Sequence, residues 1–237
     1  MVTQYIERIL SLKSSAHRET LRRLGSDCKN EPLSPTVKIL PNTPQVRGIN
    51  TIIQDADTSV EDFIFYFDRM ATLLIETALN SSRFMPKTVE TPANATYNGL
   101  APSGVTSAVV ILRAGAAFET GLKRVIPDCL TGRMLIQSSA KTGEPELHYQ
   151  KLPKDISRHQ TVLLLDPQMS SGGAALMAVQ VLIDHGVKEE NIVFVTYFAG
   201  REGLRRLCAV WRGVRVVVGR VVRDYEGRWI ERRYFRC

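Results

Sequence analysis

One stretch of the chain is more informative than any other: Val162-Leu163-Leu164-Leu165-Asp166-Pro167-Gln168-Met169-Ser170-Ser171-Gly172-Gly173-Ala174. It begins, with Thr161, as a run of Val and Leu typical of a β-strand that is covered on both faces. An acidic residue follows, then a short loop of small and hydroxyl residues, and then a helical pattern over Ala174–His185 that stops at Gly186. This order predicts a strand–loop–helix unit of a parallel sheet.

The same alternation continues on both sides of this unit. Predicted strands are Ala108–Leu112, Arg133–Gln137, Leu147–Leu152, Ile192–Tyr197 and Val214–Val218, and predicted helices include Glu119–Val125 and Glu202–Ala209. The fold class is therefore α/β, a mostly parallel sheet with helices on both faces.

The segment before this alternation has its own signals. Four prolines, at positions 32, 35, 41 and 44, indicate an extended segment, and Val37–Leu40 within it could pair as an edge strand. Thr58-Ser59-Val60-Glu61 fits a capping box, and apolar residues then recur at three and four residues, which predicts a helix with one buried stripe up to Asn80.

Composition excludes several classes of protein. Of 237 residues, 44% are hydrophobic and 23% are charged, so the chain can bury a core and is not disordered throughout. Its longest apolar runs are far shorter than the ~18 residues of a membrane span. The net charge of +7 favours anionic partners without choosing among phosphates, nucleic acid and a membrane surface.

Residues 1–36 form a separate N-terminal arm in this interpretation. The arm is basic and carries serines, as organelle transit peptides do, but Glu7, Glu19 and Asp27 favour a variable arm instead. The four cysteines lie far apart, which is typical of reduced thiols in an intracellular protein. We expect a cytoplasmic protein.

The loop at 170–174 has the chemistry of an anion site. Gly172 and Gly173 allow the backbone to approach a ligand, and free amides at the start of the next helix point into the loop. Ser170 and Ser171 add hydroxyl donors, so the loop suits a phosphomonoester. The alternative is an ordinary connection in which Asp166 caps the helix, since Gly and Ser are common in turns.

Asp166 has a different predicted role because a carboxylate repels a phosphate. At the carboxyl end of a parallel strand it could face sugar hydroxyls or a developing positive charge. The sequence contains neither the Walker pattern nor the dinucleotide glycine fingerprint, which argues against a nucleoside triphosphatase or a Rossmann dehydrogenase.

This loop resembles the phosphoribosyl-pyrophosphate motif of type I phosphoribosyltransferases, and its Asp-Pro form is similar to that of the uracil phosphoribosyltransferase family. Further segments fall in the family's order, and the resemblance covers about residues 37–237. They are Gln45–Gly48, Thr51–Asp55, Asp62–Arg69, Leu112–Gly115, Gly132–Gln137, Tyr149–Pro153, Val181–Gly186 and Arg233–Phe235.

The resemblance implies a parallel sheet core with a small hood, built mainly from about residues 197–237. It implies an enzyme of pyrimidine salvage that forms UMP and pyrophosphate from uracil and phosphoribosyl pyrophosphate, with Mg²⁺ bound through substrate oxygens. It suggests a homodimer or homotetramer and leaves regulation by GTP open.

The resemblance also assigns roles to particular residues. Ser170, Ser171, Gly172, Gly173 and Ala174 would hold the 5′-phosphate, and Asp166 would face the ribose. Arg113 and Gly115 would meet the pyrophosphate, while Arg233, Tyr234 and Phe235 are the remnant of the base-reading segment.

The chain departs from the family at these sites. Ala116 stands where the family has a glutamate, Ser138 where it has an arginine, and bulky residues over Arg228–Arg232 replace the glycines before Arg-Tyr-Phe. Uracil is then read differently, the substrate has changed, or catalysis has been lost. The alternative function is a catalytically impaired homologue that binds phosphoribosyl pyrophosphate or a nucleotide as a sensor or regulatory partner.

Arginines crowd the C-terminal part, with aromatic residues among them. This pattern could indicate nucleic-acid binding, but no RNA-binding fingerprint accompanies it. We interpret it as a solvated basic face near an anionic substrate site.

Overall fold

A computed structural model describes residues 33–138, 144–222 and 228–236. The expected arm over residues 1–36 lies almost wholly outside these ranges, as do Ser139, Ala140 and Lys141. None of the helices in the described ranges is long and apolar enough to cross a membrane.

The core is a sheet that contains the strands β1 Val37–Ile39, β4 Thr106–Leu112, β5 Leu130–Ser138, β6 Pro145–Lys151, β7 Thr161–Leu165, β8 Gln168–Met169, β9 Ile192–Gly200 and β10 Arg215–Val222. Their order in the sheet is β1-β10-β9-β7-β4-β5-β6, with β8 also paired to β9. All pairs in this sheet are parallel except β5 with β6. The predicted α/β class with a mostly parallel sheet is confirmed.

Helices connect and cover these strands. They are α1 Pro44–Gln54, α2 Val60–Leu79, α3 Glu119–Val125, α4 Gly173–Asp184, α5 Arg201–Val210 and α6 Ile230–Phe235, with 3₁₀ helices at Ala114–Phe118, Ile156–Arg158 and Glu189–Asn191. The stripe predicted on α2 packs into the core, where Phe67 lies 5.9 Å from Phe118 and 5.7 Å from Tyr197, measured between ring centroids.

Two elements differ from the predictions. Pro44 does not extend the chain but begins α1, and the hydroxyl of Thr43 accepts a hydrogen bond from the Val46 amide to cap it. The capping pair of α2 is Ser59 with Asp62 instead of Thr58 with Glu61.

A separate antiparallel hairpin was not predicted. It consists of β2 (Phe84–Glu90) and β3 (Thr96–Pro102), which pair only with each other among the described residues. Apolar side chains on the hairpin are exposed to solvent, among them Met85, Tyr97 and Leu100.

The described residues of the range 197–237, which was expected to supply the hood, lie partly in the central sheet and partly beside it. Its strands belong to the central sheet, whereas α6 packs beside α2. The division of the chain into core and hood therefore stays a prediction.

Candidate functional site

The site lies where the direction of the sheet connections reverses. The chain leaves β4 toward β5 at one side, and it leaves β7 toward β9 at the other side. Because β4 and β7 are neighbours, their carboxyl ends border the crevice in which open α/β sheets bind ligands. Arg113 follows β4 and Asp166 follows β7, so the fold brings these two predicted residues to one crevice.

The predicted phosphate loop joins β8 to α4. Gly172 precedes the helix with a φ of 81°, a left-handed conformation that favours glycine. A β-carbon at Gly172 would also lie 3.0 Å from the carbonyl oxygen of Gly203. The glycine is thus required by both the dihedral angle and the space, and the first amides of α4 face the loop.

The loop is held in place from the next strand–helix unit. The Arg206 guanidinium of α5 donates a hydrogen bond to the carbonyl oxygen of Ser171, with 2.9 Å between Nη1 and the oxygen. Gly200 and Gly203 leave room for the carbonyl of Ser170, which a β-carbon at either position would contact. None of these three residues was predicted as part of the site; the glycine pair one helical turn apart is the signal that could have found them.

Asp166 is almost fully buried, with 1% of its surface exposed. One carboxylate oxygen accepts a weak hydrogen bond from the Gln168 amide at 3.4 Å. The other lies 3.2 Å from Nη2 of Arg228. Burial raises the pKa of this carboxyl above its usual value, and the Arg228 charge opposes that rise.

Arg113 has the opposite environment, since 73% of its side chain is exposed. Its Nε lies 2.8 Å from a carboxylate oxygen of Glu231, which forms an ion pair across the crevice. Gly115 is buried nearby, and a β-carbon there would collide with the carbonyl oxygen of Leu165 at the end of β7. Gly115 therefore lets the 3₁₀ helix approach β7 closely, and Ala116 packs against the core.

Arg233, Tyr234 and Phe235 attach α6 to the helices beside it. The Arg233 guanidinium donates hydrogen bonds to the carbonyl oxygens of Asp55, Ala56 and Thr58. The Tyr234 hydroxyl donates to Asp68 at 2.6 Å, while Phe235 is 40% exposed. None of the bonds that the described residues show for these three side chains joins them to Asp166 or Arg113.

Arg228 and Glu231 are instead the C-terminal residues at the crevice. They contact Asp166 and Arg113, respectively. Gln168 supports this arrangement, because its side-chain oxygen accepts hydrogen bonds from the amides of Trp229 and Ile230 at 3.0 and 3.3 Å. In the sequence, Arg228 and Glu231 stand out only as departures from a family pattern or as part of a basic surface.

The described residues contain no group of three or more His, Cys, Asp or Glu side chains that could hold a metal ion. The carboxylates of Asp166 and Glu231 lie at the crevice, each paired with an arginine. Mg²⁺ is usually bound by one or two carboxylates together with substrate phosphates, so these residues are compatible with an ion held mainly by oxygens of its ligand.

Comparison with known proteins agrees with this geometry. The family model for uracil phosphoribosyltransferase matches residues 40–226. A uracil phosphoribosyltransferase of Dictyostelium discoideum is 42% identical over 185 residues, which covers 78% of this chain and 85% of that protein. The AQ2163 protein of Aquifex aeolicus shares the fold with a TM-score of 0.72, at 24% identity, over 84% of this chain and 97% of that one.

A longer relative is also similar. Uridine-cytidine kinase-like 1 of Mus musculus is 42% identical over 216 residues, or 91% of this chain, and the chain spans only 38% of the length of that protein. The match to the family over most of the chain shows that the chain belongs to the uracil phosphoribosyltransferase family of glycosyltransferases.

Proposed function

We propose that the chain transfers a phosphoribosyl group from phosphoribosyl pyrophosphate to uracil, forming UMP and pyrophosphate. The observation that carries this proposal is the convergence of three parts on one crevice: the phosphate loop, the buried carboxylate of Asp166 and the exposed guanidinium of Arg113. Each part matches one portion of phosphoribosyl pyrophosphate.

The 5′-phosphate is assigned to the loop. The amides of residues 172–174 and the hydroxyls of Ser170 and Ser171 supply hydrogen-bond donors, and the positive end of the α4 dipole favours a dianion there. Arg206 keeps the Ser171 carbonyl turned toward α5, away from the ligand that this oxygen would repel.

The ribose is assigned to Asp166. In the transfer the bond between ribose C1 and the pyrophosphate oxygen breaks, and the bond from C1 to the uracil nitrogen forms. The proton of that nitrogen passes to water, and pyrophosphate leaves with the electron pair of the broken bond. C1 gains positive character while the old bond breaks, and a nearby carboxylate stabilises that charge. The chain supplies position and charge instead of a covalent nucleophile.

The pyrophosphate is assigned to Arg113, whose planar guanidinium suits phosphate oxygens. Mg²⁺, bound through substrate oxygens, would neutralise further charge on this leaving group. The backbone near Gly115 lies beside Arg113 and has the role of a second contact to the pyrophosphate. Arg233, Tyr234 and Phe235 remain the proposed remnant of the base-reading segment.

We further propose a cytoplasmic homodimer or homotetramer. The exposed apolar side chains of the hairpin β2–β3 support self-association, because burying them against a second copy would remove them from water. Light scattering on the purified protein should give a mass of two or four chains.

A transfer assay tests the proposed reaction. The purified chain is incubated with radiolabelled uracil, phosphoribosyl pyrophosphate and Mg²⁺, and labelled UMP is separated from uracil. UMP should form with the wild-type chain and fall by at least about 100-fold with Asp166→Asn, which removes the charge assigned to the ribose. If the chain binds phosphoribosyl pyrophosphate but forms no UMP at high protein concentration, the proposed reaction is wrong and the chain is a binding protein.

A further inference from the structure

Two residues of the C-terminal segment form ion pairs with the two residues that the ligand is expected to contact. The Glu231 carboxylate pairs with Arg113, where a pyrophosphate oxygen is expected to bind. The Arg228 guanidinium pairs with Asp166. The backbone that holds both residues is fixed by Gln168 at one end and by the bond from Tyr234 to Asp68 at the other. The side chains therefore lie at the crevice through defined contacts.

The space beside Arg228 is also filled. The cavity that Arg228 borders together with Ser170 and Gly200 has a volume of about 10 Å³. This volume is close to the minimum for one water molecule. The space that Arg228 borders beside the phosphate loop therefore has room for no more than about one water molecule.

The two ion pairs differ in how easily they can be broken. The Asp166 carboxylate is 1% exposed, so removal of its partner would leave a buried charge without compensation. In the other pair Arg113 is 73% exposed and Glu231 is 20% exposed, so solvent screens this pair more than the one at Asp166. A polyanion that enters the crevice can therefore take the place of Glu231 on Arg113 much more readily than it can draw Arg228 away from Asp166.

We propose that Glu231 is an internal competitor of the pyrophosphate group at Arg113, and that it sets the affinity of the crevice for pyrophosphate-bearing ligands. This inference rests on the proposed function, because it uses the same Arg113. Glu231 determines which ligands bind well: it weakens those that must take its place on Arg113, and it leaves unaffected those that bind only through the phosphate loop.

The test measures binding of inorganic pyrophosphate and of UMP by calorimetry to four forms of the protein: wild type, Glu231→Gln, Arg113→Ala and the double variant. Glu231→Gln should bind pyrophosphate about 3- to 10-fold more tightly than wild type, since it removes the ion pair that competes for Arg113. UMP affinity should stay within about twofold, because UMP has no group for Arg113. In the Arg113→Ala background the same change at Glu231 should have no effect.

Glu90→Gln is the matched control, since it removes the same charge from the separate hairpin. The proposal would be overturned if Glu90→Gln raised the affinity for pyrophosphate equally, or if the rise persisted without Arg113. Either result would show that the net charge of the protein causes the effect. Unchanged pyrophosphate affinity in Glu231→Gln would overturn the proposal too, while leaving the proposed function intact if UMP is still formed. Glu231→Asp provides a second variant should Glu231→Gln unfold, and its shorter carboxylate should also raise the affinity for pyrophosphate. If no form binds pyrophosphate, both the inference and the role of Arg113 fail, whereas the phosphate loop is judged separately by UMP.

Discussion

Arg228 lies against Asp166, with 3.2 Å between Nη2 and Oδ2, although 62 residues separate the two in the sequence. The contact makes the C-terminal segment part of the electrostatics at the end of β7. Burial raises the pKa of Asp166, and Arg228 limits that rise. The charge state of the proposed ribose-facing group thus depends on a residue outside the strand–loop–helix unit.

The first prediction concerns this dependence on pH. Arg228→Gln removes the cation that favours the ionised carboxylate, so the pKa of Asp166 should rise further. The acidic limb of the pH profile of kcat/KM for UMP formation should then move to higher pH. Arg212→Gln, which removes the same charge from an exposed turn, serves as control. An identical acidic limb in wild type and Arg228→Gln would contradict the assigned coupling.

The second prediction concerns Arg113. Arg113→Ala should weaken phosphoribosyl pyrophosphate by about 10- to 100-fold, as expected when a charged hydrogen-bonding group is lost. UMP lacks the pyrophosphate and should lose less than about twofold in affinity. Calorimetric titration with each ligand provides the comparison. An equal loss of affinity for both ligands would show that Arg113 does not bind the pyrophosphate.

The third prediction concerns the conformation of the phosphate loop. Gly172→Val places a β-branched residue at a φ of 81°, with its β-carbon near the Gly203 carbonyl, so the loop must move. UMP affinity should fall by about tenfold or more, which corresponds to about 1.4 kcal/mol. Circular dichroism should show that the fold is retained.

Gly48→Ala is the matched control for that change. Gly48 lies within α1, and a β-carbon there would meet nothing within 4 Å. We expect unchanged UMP binding and a gain in stability of about 0.5–1 kcal/mol, since Ala favours a helix over Gly. Equal UMP affinity in both variants would show that the loop does not bind the phosphate.

The fourth prediction concerns Arg206. Arg206→Ala removes the donor to the Ser171 carbonyl, which frees that oxygen to turn toward the ligand. Both UMP and phosphoribosyl pyrophosphate should then bind about five- to tenfold more weakly. A hydrogen bond to a charged group contributes about 1.5–3 kcal/mol, and we expect part of this free energy to be lost from ligand binding because the loop is less well held. Arg212→Ala controls for net charge, and a selective loss of only one ligand would contradict this role.

The fifth prediction concerns the attachment of α6. Burial, with the hydrogen bond to Asp68 as the next cause, raises the pKa of Tyr234 from 10.0 to about 12. The native state therefore keeps a proton that the unfolded chain loses first. The stability that results is present in full below about pH 10 and is lost as the pH rises toward about 12.

Urea unfolding at pH 9 and pH 11 should show this sign. The wild-type chain should lose more free energy of unfolding between these pH values than Tyr234→Phe, which has no hydroxyl to ionise. The difference between the two proteins removes the contribution of other tyrosines and lysines. A parallel loss in both would show that Tyr234 titrates like an exposed tyrosine.

The sequence predicted best those elements whose own pattern is complete. Thr161–Leu165 has the predicted bounds, and Glu119–Val125, predicted as part of a helix, is the whole of α3. In both cases the pattern lies within neighbouring residues. Pro44 misled the prediction because proline breaks a helix interior yet suits its first turn, where its missing amide has no partner to lose. In the hairpin, Pro86 and exposure of both faces removed the alternation that indicates a strand.

The candidate site, like the fold, could be predicted from the sequence only where its residues belong to one local motif. Asp166 and Gly172 belong to one local motif, so the sequence located them, and the fold brought Arg113 to the same crevice. The contacts of Arg228, Glu231 and Arg206 depend on how distant elements pack. No local pattern encodes that packing, which is why these contacts became visible only in three dimensions.

A crystal structure of the chain with ribose 5-phosphate, which carries the phosphate and ribose but no base, would show directly whether the loop binds the phosphate. We predict the phosphate at the loop, with its oxygens about 3 Å from the amide nitrogens of residues 172–174, and the ribose hydroxyls facing Asp166. A structure in which the compound binds elsewhere, while the loop at 170–174 holds no phosphate, would contradict the central claim.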